Sequence, residues 1–244
     1  MSPDKKSKHL ERREKLKQQE ARSRILTLLL ITAGTVFLVF ALIWPQFKSA
    51  GEIKPVATSA LSNANGLSLG EPNAIVTIDI FEDFQCPACQ FFTESIETLI
   101  IQNYVNTGKV HYTFHNYPFI DGTGAGNGGE SDQAANASMC ANEQGKFWDM
   151  HAIIYANWNG ENQGNLSDAR LKAMAQEIGL DMNAFNDCFN TNKYKAEIQA
   201  DFDTGNTLGV NGTPSVFING VKVGQPGKIA TYEEISQAIE QALK

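Results

Sequence analysis

Ile75-Val76-Thr77-Ile78-Asp79-Ile80-Phe81 followed, four residues on, by Cys86-Pro87-Ala88-Cys89 is the stretch that decides the fold. Residues 75–81 alternate with period two, the pattern of a half-buried strand. Beyond them, Cys89, Phe92, Ile96 and Leu99 recur at three- and four-residue spacing, one face of an amphipathic helix running to about Val105. A Cys-x-x-Cys between a strand and a helix is a thiol–disulfide redox pattern. At a helix start the first cysteine meets unpaired backbone N–H groups and the positive end of the helix dipole. Both favour the thiolate, the form that attacks. Cys86 is therefore the expected nucleophile, and Cys89, on the core-facing stripe, its resolving partner.

Working outward, Val110-His111-Tyr112-Thr113-Phe114-His115 alternates as a second strand, which makes a βαβ unit with parallel strands. The glycine-rich loop 121–129 has no Lys-Ser/Thr after its glycines, so it is not a phosphate cradle. Residues of about 131–208 carry helical signals throughout: Ser131-Asp132, Ser167-Asp168 and Asp181 as helix starts, Gly145, Gly179 and Gly209 as stops. This block reads as a helical insertion. Thr213-Pro214 then opens a strand, Asn219-Gly220 turns it into a hairpin, and Thr231-Tyr232-Glu233-Glu234 is a capping box opening the last helix.

The N-terminal end is different in kind. Residues 1–48 hold ten Lys/Arg against four Asp/Glu, and residues 49–244 hold ten against twenty-three, giving +6 and −13. An acidic body argues against nucleic acid as a partner. Ile25 to Trp44 is an uncharged, mostly apolar run of twenty residues, about the length that crosses a ~30 Å hydrocarbon core. Nine Lys/Arg between Lys5 and Arg24 put the preceding segment in the cytoplasm. The apolar run exceeds a signal-peptide core, and no small-x-small site follows it directly, so an uncleaved signal-anchor is expected rather than a cleaved leader. The expected organisation is a basic cytoplasmic segment 1–24, a transmembrane helix 25–44 in the lipid bilayer, a linker 45–72 and an extracytoplasmic domain 73–244. That compartment permits disulfides.

Strand, Cys-Pro-x-Cys at a helix start, strand, helical insertion, Gly212-Thr213-Pro214 before a hairpin, and Gln144-Gly145-Lys146-Phe147-Trp148 together resemble the DsbA-like branch of the thioredoxin superfamily over about residues 70–244. The fold class implied is α/β: a thioredoxin fold with a helical insertion between its βαβ half and its cis-proline, hairpin and helix half. The resemblance implies that Pro214 is cis and lies beside the cysteine pair, with Thr213 before it and the surrounding backbone gripping an extended substrate. It also implies protein thiol–disulfide oxidoreductase activity on reduced secreted or cell-envelope proteins, no cofactor, and reoxidation by a membrane partner of the DsbB or VKOR type. Pro87 and Ala88 are the inter-cysteine residues; they lack the histidine of the strongest oxidants in the family. Asp83 stands where the family often carries Asp, whereas Glu82 reads equally well as a solvated strand-end carboxylate.

Other chemistries compete for the same residues. Cys86-x2-Cys89 with His111-x3-His115 echoes a zinc pattern, but the intervening gap is too long and both histidines fall on one strand face, so no metal is expected. His151 reads as a packed or surface histidine. Once the redox pair is assigned, Cys140 and Cys188 remain, either bridged across a loop of about 49 residues, worth ~4 kcal/mol by chain entropy, or buried as two thiols; the bridge is favoured. A reductase or isomerase using the same site, and a non-catalytic peptide-binding or chaperone domain with an inert bridge, are the alternative functions.

Overall fold

The computed structural model describes residues 24, 27–40, 51–56, 61, 63–122, 128–225 and 227–244. The chain divides into two units, Met1–Ser49 and Ala50–Lys244. In the first, residues 27–40 are helical, with Leu28, Leu30, Phe37 and Phe40 exposed. Among the described residues no helix is long and apolar enough to cross a membrane. The expected span 25–44 lies partly outside those residues, as does almost all of the basic segment 1–24.

The second unit is built on a five-stranded sheet in the order β1-β3-β2-β4-β5. Its strands are β1 (Ser68–Leu69), β2 (Val76–Glu82), β3 (Val110–Asn116), β4 (Ser215–Ile218) and β5 (Val221–Val223). β2 and β3 are parallel, with Ile78 opposite Tyr112 and Ile80 opposite Phe114. The other pairings are antiparallel. The alternation seen in the sequence sets the layering: Val76, Ile78, Ile80, Val110, Tyr112 and Phe114 are all fully buried. Each such side chain contributes roughly 1.5–3 kcal/mol on leaving water. Asn219 and Gly220, at φ 46° and 77°, make the left-handed turn that joins β4 to β5.

Helix α1 runs over 87–105, as Pro87–Phe92 and Thr98–Ile100 interrupted by wide π turns at Thr93–Glu97 and Ile101–Val105. The wide turns correct the expected stripe. Leu99 is 38% exposed and Ile100 is fully buried, because a π turn carries an extra residue and delays the buried face by one position. The same slip turns Glu97 into the core.

The insertion is five helices: α2 (Glu130–Asn142), α3 (Phe147–Ala156), α4 (Asp168–Glu177), α5 (Met182–Asn190) and α6 (Lys195–Thr207). Ser167 and Asp181 precede α4 and α5 as expected, and the Asp181 carboxylate accepts from the N–H groups of Asn183 and Ala184. Ser131 and Asp132 fall inside the first turn of α2 instead of capping it. α7 (Tyr232–Ala242) starts at Thr231 with the full capping box to Glu234.

Residues 45–72 are not all linker. Lys54 N–H donates to Asn157 Oδ1 and the Asn157 amide donates back to Lys54 O, at 2.8 and 3.0 Å. Ile53, Val56, Leu61 and Leu67 pack on the core, and β1 adds an edge to the sheet. Periodicity is invisible in such a segment because it is pinned by isolated contacts.

Cys140 in α2 and Cys188 in α5 are joined by a disulfide across 48 residues of sequence. It ties two insertion helices that also share Asn136, whose amide donates to Phe189 O. The Cys140→Ala/Cys188→Ala double variant is expected to lose about 4 kcal/mol of unfolding free energy in urea titration. Its thiol exchange at Cys86 should be retained.

Candidate active site

β2 ends at Glu82, the chain turns through Asp83, Phe84 and Gln85, and α1 begins at Pro87, which leaves Cys86 at the helix N-cap with extended backbone, φ −72° and ψ 121°. Proline at the first helical position costs nothing, since its missing N–H would have no partner there. Cys86 and Cys89 are both free thiols, 6% and 0% exposed.

The Thr213–Pro214 peptide bond is cis, and the Cys86 thiol donates to Thr213 O at 3.3 Å. Strand β4 starts directly after this bond, so the sheet fixes where Thr213 stands against the helix start. Beside it lies a cleft of about 390 Å³, lined by Ala88, Gly212, Thr213, Pro214 and Gly224, with Lys222 and Lys228 as its charged side chains.

The two sulfurs are driven apart electrostatically. The Cys89 thiol donates to the Cys86 sulfur, and that bond outweighs the burial that opposes charge. The backbone N–H groups of Cys89 and Ala88 add to it, and the Cys86 pKa falls to about 6. Cys89 goes the other way, well above its ordinary value, because it is wholly buried, bonded to Cys86 and close to the charge of Glu82.

Behind the pair are two carboxyls of unlike role. Glu82 is 1% exposed, and burial lifts its pKa to about 8 although the Tyr155 hydroxyl donates to Oε2 at 2.8 Å. Its Oε1 has no partner. Glu82 is thus not a solvated strand-end group but a buried acid that the cysteine pair feels. Asp83, raised to about 6 by burial, accepts from the N–H groups of Gln85, Phe119 and Ile120 and from Ser131 Oγ, all within 2.7–3.0 Å. It braces the turn before Cys86 against the loop after β3 and the start of α2. Gln85 works alongside: its carbonyl accepts from Trp158 Nε1 and its side chain binds Asn162 N–H and Asp121. The sequence marks none of Gln85, Tyr155 or Trp158, and Ser131 only as a helix start, because their contacts at the site join residues 36 to 77 apart in the chain.

His151 is buried among Phe84, Phe114, Phe147, Trp148 and Tyr155. His115 sits between Asp79 at 3.2 Å and Asp201 at 3.1 Å, away from the cysteines. Among the described residues no three or more His, Cys, Asp or Glu side chains converge as a metal site.

The profile of the thioredoxin family matches residues 62–241. The chain belongs to the thioredoxin family, in its DsbA-like branch. The probable disulfide bond formation protein D of Bacillus anthracis is 26% identical over 217 residues, 88% of this chain and 91% of that protein. The crystal structure of oxidised BdbD from Bacillus subtilis superposes with a TM-score of 0.65 at 23% identity, covering 78% of this chain and 99% of that one. Wolbachia pipientis alpha-DsbA1 gives 0.61 at 25% identity, over 75% and 94%. Like its DsbA-type relatives, the chain is a thiol–disulfide oxidoreductase.

A pH titration of thiolate absorbance on the reduced protein is expected to show one thiolate appearing with a midpoint near about 6 and the second only well above 9. The rate of Cys86 alkylation should rise with pH along the first midpoint and then level off. Two thiolates titrating together near pH 9 would contradict the asymmetry.

Proposed function

We propose that this chain is a membrane-anchored, extracytoplasmic oxidase of protein thiols, introducing disulfides into secreted or cell-envelope proteins through Cys86 and Cys89. The observation that carries this is the opposed thiol pair next to the Thr213–Pro214 cleft. A couple is oxidising when its reduced form is stabilised. With a pKa of about 6, roughly nine-tenths of Cys86 is thiolate at pH 7. The linkage has a definite sign. A thiol whose folded pKa lies below its unfolded value of about 8.5 stabilises the reduced fold above that value, and the gain is lost as pH falls through about 6. The disulfide form has no such thiolate and gains nothing.

In the cycle, a substrate thiolate attacks Cys86 in the Cys86–Cys89 disulfide, and Cys89 leaves and takes up a proton. A second substrate thiol then attacks the substrate's own sulfur, and Cys86 leaves as the stabilised thiolate. Thr213 and Pro214 present backbone to an extended substrate by strand addition, with Pro87 and Ala88 forming the opposite lip. Glu82 is the acid that exchanges a proton with Cys89, while Asp83 holds the turn. Reoxidation falls to a membrane redox partner of the DsbB or VKOR type. The apolar run 25–44 and the basic segment before it support the anchor and its orientation, and the disulfide bond formation proteins among the relatives support the oxidative direction.

Cys86→Ser should abolish oxidation of a reduced dithiol peptide. Cys89→Ser should accumulate mixed disulfides with envelope proteins, seen as dithiol-sensitive bands on non-reducing gels. A Cys89→Ser protein that traps nothing, with a wild type that oxidises no dithiol, would leave only a peptide-binding domain.

A further inference from the structure

Cys89 is fully buried, and in the proposed cycle a bound substrate covers the face on which Cys86 lies. Each turnover nevertheless moves one proton on or off Cys89. A route that does not pass under the substrate is therefore required, and buried polar atoms mark one. Glu82 Oε1 and His151 Nε2 are both buried and both lack a hydrogen-bond partner. His151 Nε2 lies 3.8 Å from Glu82 Oε2, one bridging water or a small rotation from a hydrogen bond. Unpaired polar atoms buried in a core cost roughly 1–3 kcal/mol each, so they call for a use.

Past His151 is Glu97, the carboxylate that the π turn of α1 rotates inward, 4% exposed, with Tyr112 OH donating to its Oε1 at 2.8 Å. Glu97 and His151 together border a surface cavity of about 170 Å³ whose other walls include Thr93, Trp148, Val56 and Leu61. It has room for several waters. Its opening is framed by α1, α3 and the docked segment before β1, away from the Pro214 cleft, whose lining it does not share.

Resting on the proposed exchange activity, we infer that Glu82, His151 and Glu97 form a proton relay between Cys89 and this second cavity. When a substrate thiolate attacks Cys86, the S–S bond breaks, its electron pair goes to Cys89 Sγ, and Glu82 supplies the proton. Glu82 is reloaded through His151 from Glu97, which draws on water in the cavity. In the reverse direction Cys89 gives its proton to Glu82, attacks Cys86, and the proton leaves by the same groups. Glu97 and Glu82 have pKa values held near about 7 and 8 by burial, so both can gain and lose protons near neutrality. The groups facing the relay are Tyr112 at Glu97, Tyr155 and Cys86 at Glu82, and Asp149, ion-paired to Lys146 at 3.8 Å, at the cavity wall. His151 and Glu97 act through Glu82 and are positioning residues.

Mixing the reduced full chain with dithiobis-nitrobenzoate separates the steps. The first release of coloured thiolate reports attack by Cys86, and the second reports attack by Cys89 on the resulting mixed disulfide. Glu97→Gln, which keeps an oxygen for Tyr112, is expected to leave the first phase unchanged and slow the second at least tenfold. The second phase should acquire a larger solvent isotope effect, and Glu97→Asp should restore most of its rate. His151→Phe, suited to an aromatic cage, should show the same split. A second phase at wild-type rate in Glu97→Gln would overturn the relay, and so would equal slowing in the Gln and Asp variants. A wild type without the first phase would overturn the exchange activity itself, and the relay with it.

Discussion

Everything about this site depends on how the start of α1 meets a sulfur. Cys86 occupies the N-cap, where the backbone N–H groups of Ala88 and Cys89 at the helix start lie on its sulfur and favour the thiolate. Pro87 fixes the first turn, and across the cis Thr213–Pro214 junction the Thr213 carbonyl accepts from the same sulfur when it is a thiol, at 3.3 Å. The Cys89 thiol and the N–H groups at the helix start favour a thiolate there, and a disulfide sulfur carries no charge for them to stabilise. Preference for the reduced, ionised state is thereby built into the junction of one strand, one helix and one proline.

The helical insertion is what makes the other half of the pair behave. Phe147, Trp148, His151 and Tyr155 all come from α3, and they pack around Phe84 and Glu82. That burial is the largest cause of the raised pKa of both Glu82 and Cys89. Asp83 and Gln85 work in the opposite sense, stitching the insertion to the turn before Cys86. The insertion therefore tunes the thiol pair as well as widening the surface, and the Cys140–Cys188 bridge holds its helices together at a distance from the chemistry.

The fold was largely legible in the sequence because its signals are local. Period two in 75–81 and 110–115, Asn219-Gly220 at the hairpin, and Thr231 with Glu234 at the last helix each act within a few residues. What escaped is what tertiary contact decides. The π turn that buries Ile100 and Glu97 in place of Leu99 leaves no mark in a 3.6-residue pattern. Residues 51–56 and 68–69 carry no period, since single contacts to Asn157 and to β3 hold them. Of the two carboxylates after β2, the sequence favoured Asp83, yet strand alternation had already put Glu82 on the side of Ile78 and Ile80, facing the core. The N-terminal apolar run remains a property of the sequence, with residues 25, 26 and 41–44 outside the described structure.

The reduction potential of the Cys86–Cys89 couple, measured by equilibrium with glutathione, tests the central claim most directly. A stabilised Cys86 thiolate opposite a protonated Cys89 predicts an oxidising value near about −120 mV, and a value near about −270 mV, that of a reductase, would contradict it.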